Sequence, residues 1–166
     1  MSYLDLCSAP GNKTLQALET RLRLALACDM SLDRLRTVPA VCPRIVLDAT
    51  EPLPFGIQFD RIFIDAPCSG TGTLGRNPEI KWRLEESELA RFAEKQLRMA
   101  RQAVPLLAPG GKLVYATCSL EQEENEEVVH ALLTEFPRLR CEKQVWRLPG
   151  GDPGDGFFAA VLEIAI

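Results

Sequence analysis

A short apolar run that leads directly into a turn of small residues opens the chain: Tyr3-Leu4-Asp5-Leu6-Cys7-Ser8-Ala9-Pro10-Gly11-Asn12-Lys13-Thr14. Tyr3–Leu6 is typical of a strand that is buried on both faces, and the turn after it ends where a helix begins. Small residues let a backbone approach a ligand closely, and the N–H groups at a helix start bind carboxylates or phosphates. This stretch therefore predicts the first strand–turn–helix unit of an α/β sheet, with a ligand at its turn.

The rest of the chain repeats this alternation of short apolar runs and helical patterns. The other predicted strands are Leu24–Cys28, Arg44–Leu47, Arg61–Ile64, Lys112–Ala116, Arg140–Trp146 and Phe157–Ile164, the last two flanking a Gly-rich loop over 150–154. Such runs between helices predict one α/β domain, a layered sandwich around a mostly parallel sheet.

Two helices are predicted in the second half of the chain. The first spans Glu85–Leu107, with its last turn distorted by Pro105, and Pro109-Gly110-Gly111 ends it. The second follows Ser119, which has the spacing of a capping box with Gln122.

Acidic residues and thiols follow five of the predicted strands at their carboxyl ends: Cys7, Asp29, Asp48, Asp65 and Cys118. In open α/β sheets, ligands bind beyond the carboxyl ends of the strands. One acidic residue there is typical of a solvated loop or a helix cap. Five such side chains in one layer indicate a site.

The turn over Cys7–Thr14 differs from the two common phosphate-binding loops. It lacks the glycine spacing of a P-loop, and it does not match G-x-G-x-x-G, which disfavours a nicotinamide-dependent oxidoreductase. Asp29 follows Asp5 by 24 residues, at a position where a carboxylate accepts hydrogen bonds from ribose hydroxyls. The pattern predicts a nucleoside-bearing cofactor without a pyrophosphate.

Composition places the chain among ordinary globular domains. Its 166 residues are 46% hydrophobic and 25% charged, with a formal net charge of −4. No apolar run reaches the roughly 18 residues of a membrane span, and no signal-peptide pattern is visible, so we expect a cytoplasmic protein. We also expect the protein to be a monomer. The acidic balance does not indicate nucleic-acid binding, although a local basic surface can still bind it.

Six cysteines are many for this length, but none is paired as C-x-x-C and only one histidine is present. A metal site and a disulfide framework are therefore not expected. Cys28, Cys42 and Cys141 lie in or beside apolar runs and are expected to pack as small hydrophobic side chains. Cys68 and Cys118 are flanked by Pro, Ser or Gly, which indicates a functional role for both thiols.

Three ordered motifs connect the sequence to a known family. They are Asp5–Thr14, the segment Asp65-Ala66-Pro67-Cys68-Ser69-Gly70-Thr71-Gly72, and Ala116-Thr117-Cys118-Ser119. Together they resemble the RNA cytosine carbon-5 methyltransferases of the Nop/Sun family. Arg76–Trp82 and Asp155–Phe158 are most similar to its bacterial Sun (Fmu) branch. The resemblance implies the class I S-adenosylmethionine-dependent methyltransferase fold, a Rossmann-like three-layer sandwich with seven strands, the last antiparallel.

The resemblance also implies a set of cofactor-binding residues. The methionine end of S-adenosylmethionine would lie in the turn formed by Cys7, Ser8, Ala9, Pro10, Gly11, Asn12 and Lys13. Asp29 would hold the ribose hydroxyls, Asp48 would lie near the adenine, Arg34 would support the pocket, and Asp65 would lie between cofactor and target base. Asn12 stands where the family usually has glycine. Since Asn tolerates the left-handed conformation better than most residues, we expect the turn to be preserved.

By the same resemblance, Cys118 is the thiol that attacks carbon 6 of cytosine and Cys68 assists its release. Covalent attack is needed because carbon 5 of cytosine is a poor nucleophile until a thiolate adds at carbon 6. We expect a following helix N-terminus to lower the pKa of Cys118 through its dipole. Asp65 is expected to hydrogen-bond the exocyclic amine or the protonated ring nitrogen.

Two charged segments lie outside these motifs. The acidic run Glu121–Glu127 is expected to be a solvated helix face. Trp82 lies among Arg76, Lys81 and Arg83, a mixture that either contacts RNA by stacking and phosphate binding or forms an ordinary surface loop.

The predicted function is methyl transfer from S-adenosylmethionine to carbon 5 of a cytosine in RNA, specifically small-subunit ribosomal RNA. The alternatives are the same activity on tRNA and a non-catalytic RNA-binding or ribosome-assembly module with this fold. Family members carry an upstream segment that closes the cofactor pocket and an RNA-binding module before it. We therefore expect residues 1–166 to be the catalytic domain alone.

Overall fold

Seven strands form one sheet in the computed structural model, which describes residues 1–150 and 154–165. In chain order the strands are β1 (Ser2–Asp5), β2 (Leu24–Asp29), β3 (Arg44–Val46), β4 (Phe59–Asp65), β5 (Leu107–Thr117), β6 (Leu139–Arg147) and β7 (Phe157–Ile164). Their order in the sheet is β3-β2-β1-β4-β5-β7-β6. Residues 151–153 of the predicted Gly-rich loop lie outside the described residues.

The first five strands are parallel, and β7 is antiparallel to both of its neighbours, β5 and β6. This confirms the predicted mostly parallel sheet with an antiparallel last strand. The register aligns Leu4 of β1 with Leu26 of β2 and Ile62 of β4. The carboxyl ends of the parallel strands therefore lie along one edge of the sheet, where the predicted site residues follow them.

In the part of the chain that the structure describes, five α-helices connect the strands: α1 (Asn12–Leu18), α2 (Leu32–Arg36), α3 (Ile80–Arg83), α4 (Glu86–Ala103) and α5 (Glu126–Glu135). Short 3-10 helices cover Thr71–Thr73, Val104–Leu106 and Gln122–Glu124. Pro105 lies in the second of these, so the predicted distortion after the long helix is confirmed. Among the described residues, no helix has both the length and the apolar character needed to cross a membrane.

Helices cover both faces of the sheet, which gives three layers. Leu26 and Cys28 point to the face where α4 and α5 pack, as part of the main core. Ala27, between them, points to the opposite face and packs with Leu35 of α2 and with Val38. Alternate residues of a strand face opposite sides, so these two clusters mark the two helical layers.

Most predicted strands move by one or two residues at an end, but β5 begins five residues earlier than expected. The predicted helix stop Pro109-Gly110-Gly111 lies inside this strand. Phe59 pairs with Leu107 and Arg61 with Lys112, so the extra residues form a bulge between the two pairs. A Cβ on Gly111 would lie 2.7 Å from the Ala108 carbonyl oxygen, which explains the glycine there.

The second predicted helix begins later than expected. A 3-10 turn follows Glu121, and α5 starts at Glu126 with Asn125 at its N-cap. The predicted capping box of Ser119 with Gln122 is wrong, because the Ser119 hydroxyl accepts the Glu121 backbone N–H at 3.0 Å and donates to the Glu124 carboxylate. The apolar face of the helix is as predicted, with Val128 and Leu132 buried.

Candidate active site

A pocket of about 410 Å³ lies at the carboxyl ends of the parallel strands. The predicted site residues that line it are Cys7, Ala9, Asp29, Arg34, Asp48, Asp65, Cys68 and Cys118. Another cavity, of about 380 Å³, lies at the opposite end of the sheet among Pro105, Pro109, Phe136 and Pro137. Its lining holds neither a thiol nor a carboxylate, whereas the first pocket holds both.

Asp29 presents a nearly buried carboxylate to the pocket, with 4% of the residue exposed. One of its oxygens accepts a hydrogen bond from the Ser31 backbone N–H at 3.0 Å. The Arg34 guanidinium lies 3.6 Å from the other oxygen and also donates to the Ala9 carbonyl at 3.3 Å. Arg34 thus links the end of β2 to the first turn, while Asp29 retains acceptor capacity toward the pocket.

Asp48 supplies a second carboxylate, at the end of β3. Its Oδ1 accepts hydrogen bonds from the Thr50 backbone N–H at 2.9 Å and from the Thr50 hydroxyl at 2.7 Å. These bonds hold the pKa of Asp48 below its usual value, so it is charged at neutral pH. Lys95 of α4 lines the pocket with it.

The first turn is fixed from below by Asp5, which is 1% exposed. Its carboxylate accepts hydrogen bonds from the Thr14 hydroxyl at 2.7 Å and from the Cys7 backbone N–H at 3.3 Å. Burial is the main reason that the pKa of Asp5 rises to about 6. Asp5 therefore holds the turn in shape and does not line the pocket.

The backbone of this turn corrects the reason for which Asn12 was expected to be tolerated. Gly11, with φ of 106°, is the left-handed residue, and Asn12 is the exposed first residue of α1. A side chain at position 12 meets no left-handed requirement, so the turn does not depend on asparagine there. Lys13 is exposed too, and forms an ion pair with Asp65 at the end of β4.

Cys68 and Cys118 face each other at the mouth of the pocket, with their Sγ atoms 3.2 Å apart. The hydrogen bond from the Cys68 thiol lowers the pKa of Cys118, and the same bond together with burial raises the pKa of Cys68. Cys118 is therefore the thiol of the pair that ionises more readily, and Cys68 is the one that keeps its proton more strongly. The expected cause is corrected, because the first helical turn after Cys118 begins only at Gln122 and the neighbouring thiol supplies the effect.

The acidic run Glu121–Glu127 is not a uniformly solvated face. Glu124 is completely buried behind the two thiols, and its carboxylate accepts hydrogen bonds from Ser69, Ser119 and Gln96. The prediction of a solvated face is wrong at this residue, since the serines that follow the two cysteines enclose it.

A family model matches nearly the whole chain. The family model described as 16S rRNA methyltransferase RsmB/F matches residues 1–163. The chain belongs to the RsmB/F family. Ribosomal RNA small subunit methyltransferase B of Proteus mirabilis (strain HI4320) is 40% identical in an alignment 170 residues long, which covers 96% of this chain and 40% of the relative. The chain therefore spans about two fifths of the length of this curated relative.

Solved structures share the fold of this RsmB/F member. NSun6 from Pyrococcus horikoshii, solved with SFG, has a TM-score of 0.88 and 27% identity over 99% of this chain and 48% of its own. A methyltransferase homolog protein from Pyrococcus horikoshii has a TM-score of 0.79 and 27% identity over 98% of this chain and 61% of its own. The class I methyltransferase fold predicted from the sequence is thereby confirmed.

Five residues assigned to the cofactor turn do not line the pocket: Ser8, Pro10, Gly11, Asn12 and Lys13. Conversely, Lys95 and Met99 of α4 line it without having been predicted. The position of a helix over the strand ends depends on tertiary packing, and the RsmB/F motifs give no signal for it. Within residues 1–150 and 154–165, no group of three or more His, Cys, Asp or Glu side chains is arranged to hold a metal ion.

Proposed function

We propose that this RsmB/F chain is the catalytic domain of an S-adenosylmethionine-dependent methyltransferase that modifies carbon 5 of a cytosine in small-subunit ribosomal RNA. The observation that carries the proposal is the contact between Cys68 and Cys118, two thiols 3.2 Å apart at the mouth of a pocket lined by carboxylates. A methyltransferase that acts on a nucleophilic nitrogen or oxygen needs neither thiol. Carbon 5 of cytosine needs covalent activation.

Carboxylates in the pocket suit the hydroxyl groups of S-adenosylmethionine, because they accept hydrogen bonds. Asp29 would accept hydrogen bonds from the ribose hydroxyls, with Arg34 holding it in place. Asp48 would lie beside the adenine, and the turn that begins at Cys7 would lie beside the methionine end. When bound, the cofactor supplies an electrophilic methyl group on its sulfonium.

The two thiols divide the chemistry between them. The Cys118 thiolate adds to carbon 6 of cytosine, and the electron pair of the 5,6 double bond makes carbon 5 nucleophilic enough to take the methyl group. The carbon 5 proton then leaves, its electron pair reforms the double bond, and the sulfur–carbon bond to Cys118 breaks. Cys68 assists this release, as or through the base that takes the carbon 5 proton, and Asp65 hydrogen-bonds the exocyclic amine or the protonated ring nitrogen.

The RNA partner is supported by the surface of α3, next to the thiols. Trp82 is 85% exposed, and Lys81 Nζ lies 5.7 Å from the centre of its ring. Arg83 shares a small cavity with Cys68. An exposed aromatic ring with basic neighbours stacks bases and binds phosphates of single-stranded RNA.

Trp82→Ala should weaken RNA binding about tenfold, whereas Trp82→Phe keeps a stacking face and most of the affinity. An affinity for RNA equal to that of the wild type in Trp82→Ala would show that this surface does not bind RNA.

The test is to incubate the complete protein that carries this chain with small-subunit ribosomal RNA and S-adenosylmethionine, and to map 5-methylcytosine. We expect modification at a defined cytosine with the wild-type protein and none with Cys118→Ala. Methylation of tRNA in place of ribosomal RNA would show that tRNA is the substrate. Binding of RNA without any methylation would favour a ribosome-assembly role.

A further inference from the structure

Glu124 is a buried carboxylate to which the proposed mechanism gives no role. It is 0% exposed, and four donors surround it. Its Oε1 accepts the Ser69 backbone N–H and the Gln96 side-chain amide, both at 2.9 Å. Its Oε2 accepts the hydroxyls of Ser69 and Ser119, both at 2.5 Å. The two oxygens of a carboxylate supply the acceptors that such a set of donors needs.

The partners of Glu124 are the immediate chain neighbours of the two thiols. Ser69 follows Cys68, and Ser119 follows Cys118. Gln96 reaches the same loop a second time, because its amide also donates to the Pro67 carbonyl at 3.0 Å. A single side chain thus holds the loop after β4 and the loop after β5 at a fixed separation.

Glu124 is itself held from two sides. The Tyr115 hydroxyl donates to its backbone carbonyl at 2.5 Å, which fixes it to β5. Gln96 fixes its carboxylate to α4. A buried carboxylate with this many charge-assisted hydrogen bonds is a rigid point of attachment.

We propose that Glu124 is a positioning residue that holds Cys68 and Cys118 in contact by binding the serine after each of them. Its catalytic consequence rests on the proposed function, but the positioning itself does not. Replacement by glutamine leaves one acceptor oxygen in place of two and puts an amide donor among four donors. Buried donors without acceptors are costly, so the two loops separate and the thiol contact lengthens.

The alternative is that Glu124 affects the thiols only through its charge. The two possibilities predict opposite shifts of the Cys118 pKa on Glu124→Gln. Loss of a nearby negative charge alone lowers that pKa, because the carboxylate disfavours the thiolate. Loss of the hydrogen bond from Cys68 raises it, and this bond is the larger influence on Cys118.

The test is the pH dependence of Cys118 alkylation by iodoacetamide, followed by mass spectrometry of its peptide in the complete protein. In Glu124→Gln we expect the midpoint to rise by about one pH unit relative to wild type. Glu123→Gln, which removes an exposed carboxylate one residue away, is the matched control and should leave the midpoint unchanged. A midpoint that stays or falls in Glu124→Gln overturns the proposal.

Ser119→Ala keeps the test decisive if Glu124→Gln does not fold. It removes a single donor to Glu124 and should raise the same midpoint by a smaller amount, while an unchanged midpoint in a folded Ser119→Ala protein contradicts the proposal. Neither measurement uses RNA or S-adenosylmethionine. Failure of the positioning role is therefore distinct from failure of the proposed methylation.

Discussion

Asp5, the carboxylate beneath the first turn, is charged at neutral pH at a cost to stability. Its pKa in the folded protein, about 6, lies above the value of a free aspartate, so its ionisation favours the unfolded chain. Its contribution to the free energy of unfolding is complete below pH 4 and is lost as the pH rises through 6. At about 1.4 kcal/mol per pH unit, the loss amounts to about 3 kcal/mol.

Urea unfolding of the wild type and of Asp5→Asn between pH 4 and 7 measures this contribution. We expect the difference in unfolding free energy to move in favour of Asp5→Asn as the pH rises. Parallel curves would mean that Asp5 is no more costly to ionise in the folded state than in the unfolded chain.

Asp29 is the residue on which cofactor affinity should depend most. Asp29→Ala removes a nearly buried carboxylate that would bind the ribose hydroxyls, and should weaken S-adenosylmethionine binding by about 1.5–3 kcal/mol in a calorimetric titration. Asp33→Ala, on the exposed side of α2, is the control and should bind as the wild type does. Unchanged affinity in Asp29→Ala would exclude Asp29 from the cofactor site.

At the scale of elements, the 3-10 turn Thr71–Thr73 joins the loops that carry the two thiols. The Gly72 N–H donates to the Cys118 carbonyl at 2.8 Å, and its own carbonyl accepts from Gly156 at 2.8 Å. A Cβ on Gly72 would lie 2.4 Å from the Gly156 carbonyl oxygen and 2.7 Å from that of Cys118. Backbone must therefore move to admit any side chain there.

Gly72→Ala should lower the free energy of unfolding by about 1–3 kcal/mol, the usual cost of overpacking. Gly75→Ala is the matched control, because a Cβ there meets nothing within 4 Å. Chemical denaturation of both variants checks the expectation. Equal stability of the two would show that the turn is not closely packed against Cys118.

The strands β1 and β2 were predictable because they are buried on both faces and therefore appear as short apolar runs. The start of β5 was not predictable, since it depends on the pairing of Leu107 with Phe59, which is far away in sequence. The start of α5 was missed for a similar reason. Ser119 had a suitable local spacing for a cap, but its hydroxyl is bound by Glu124, which Ser69 and Gln96 also bind from distant segments.

Glu124 itself was hidden among acidic neighbours. One local signal distinguishes it: it lies four residues before Val128 and eight before Leu132, which in the sequence is the spacing of a buried helix face. Composition alone could not separate it from the exposed Glu123 and Glu127.

At the scale of the whole molecule, the sheet topology brings the chemistry together. The sequence placed thiols and carboxylates at strand ends, and a parallel register aligns those ends along one edge. The sequence could not predict that Lys95, Met99 and Gln96 lie near these strand ends, because the orientation of α4 over that edge is set by packing of the core. The position of the pocket at the strand ends was thus predictable, but the part contributed by the helix was not, and five residues of the first motif do not line the pocket.

The account depends most on the separate roles of the two thiols, and a denaturing gel tests them directly. The complete protein, as Cys68→Ala and as Cys118→Ala, is incubated with small-subunit ribosomal RNA and S-adenosylmethionine. Because Cys118 forms the bond to carbon 6 and Cys68 assists its breakage, Cys68→Ala should accumulate a denaturant-resistant protein–RNA complex and Cys118→Ala should form none. A complex that accumulates with Cys118→Ala instead, or with neither variant, would contradict the account.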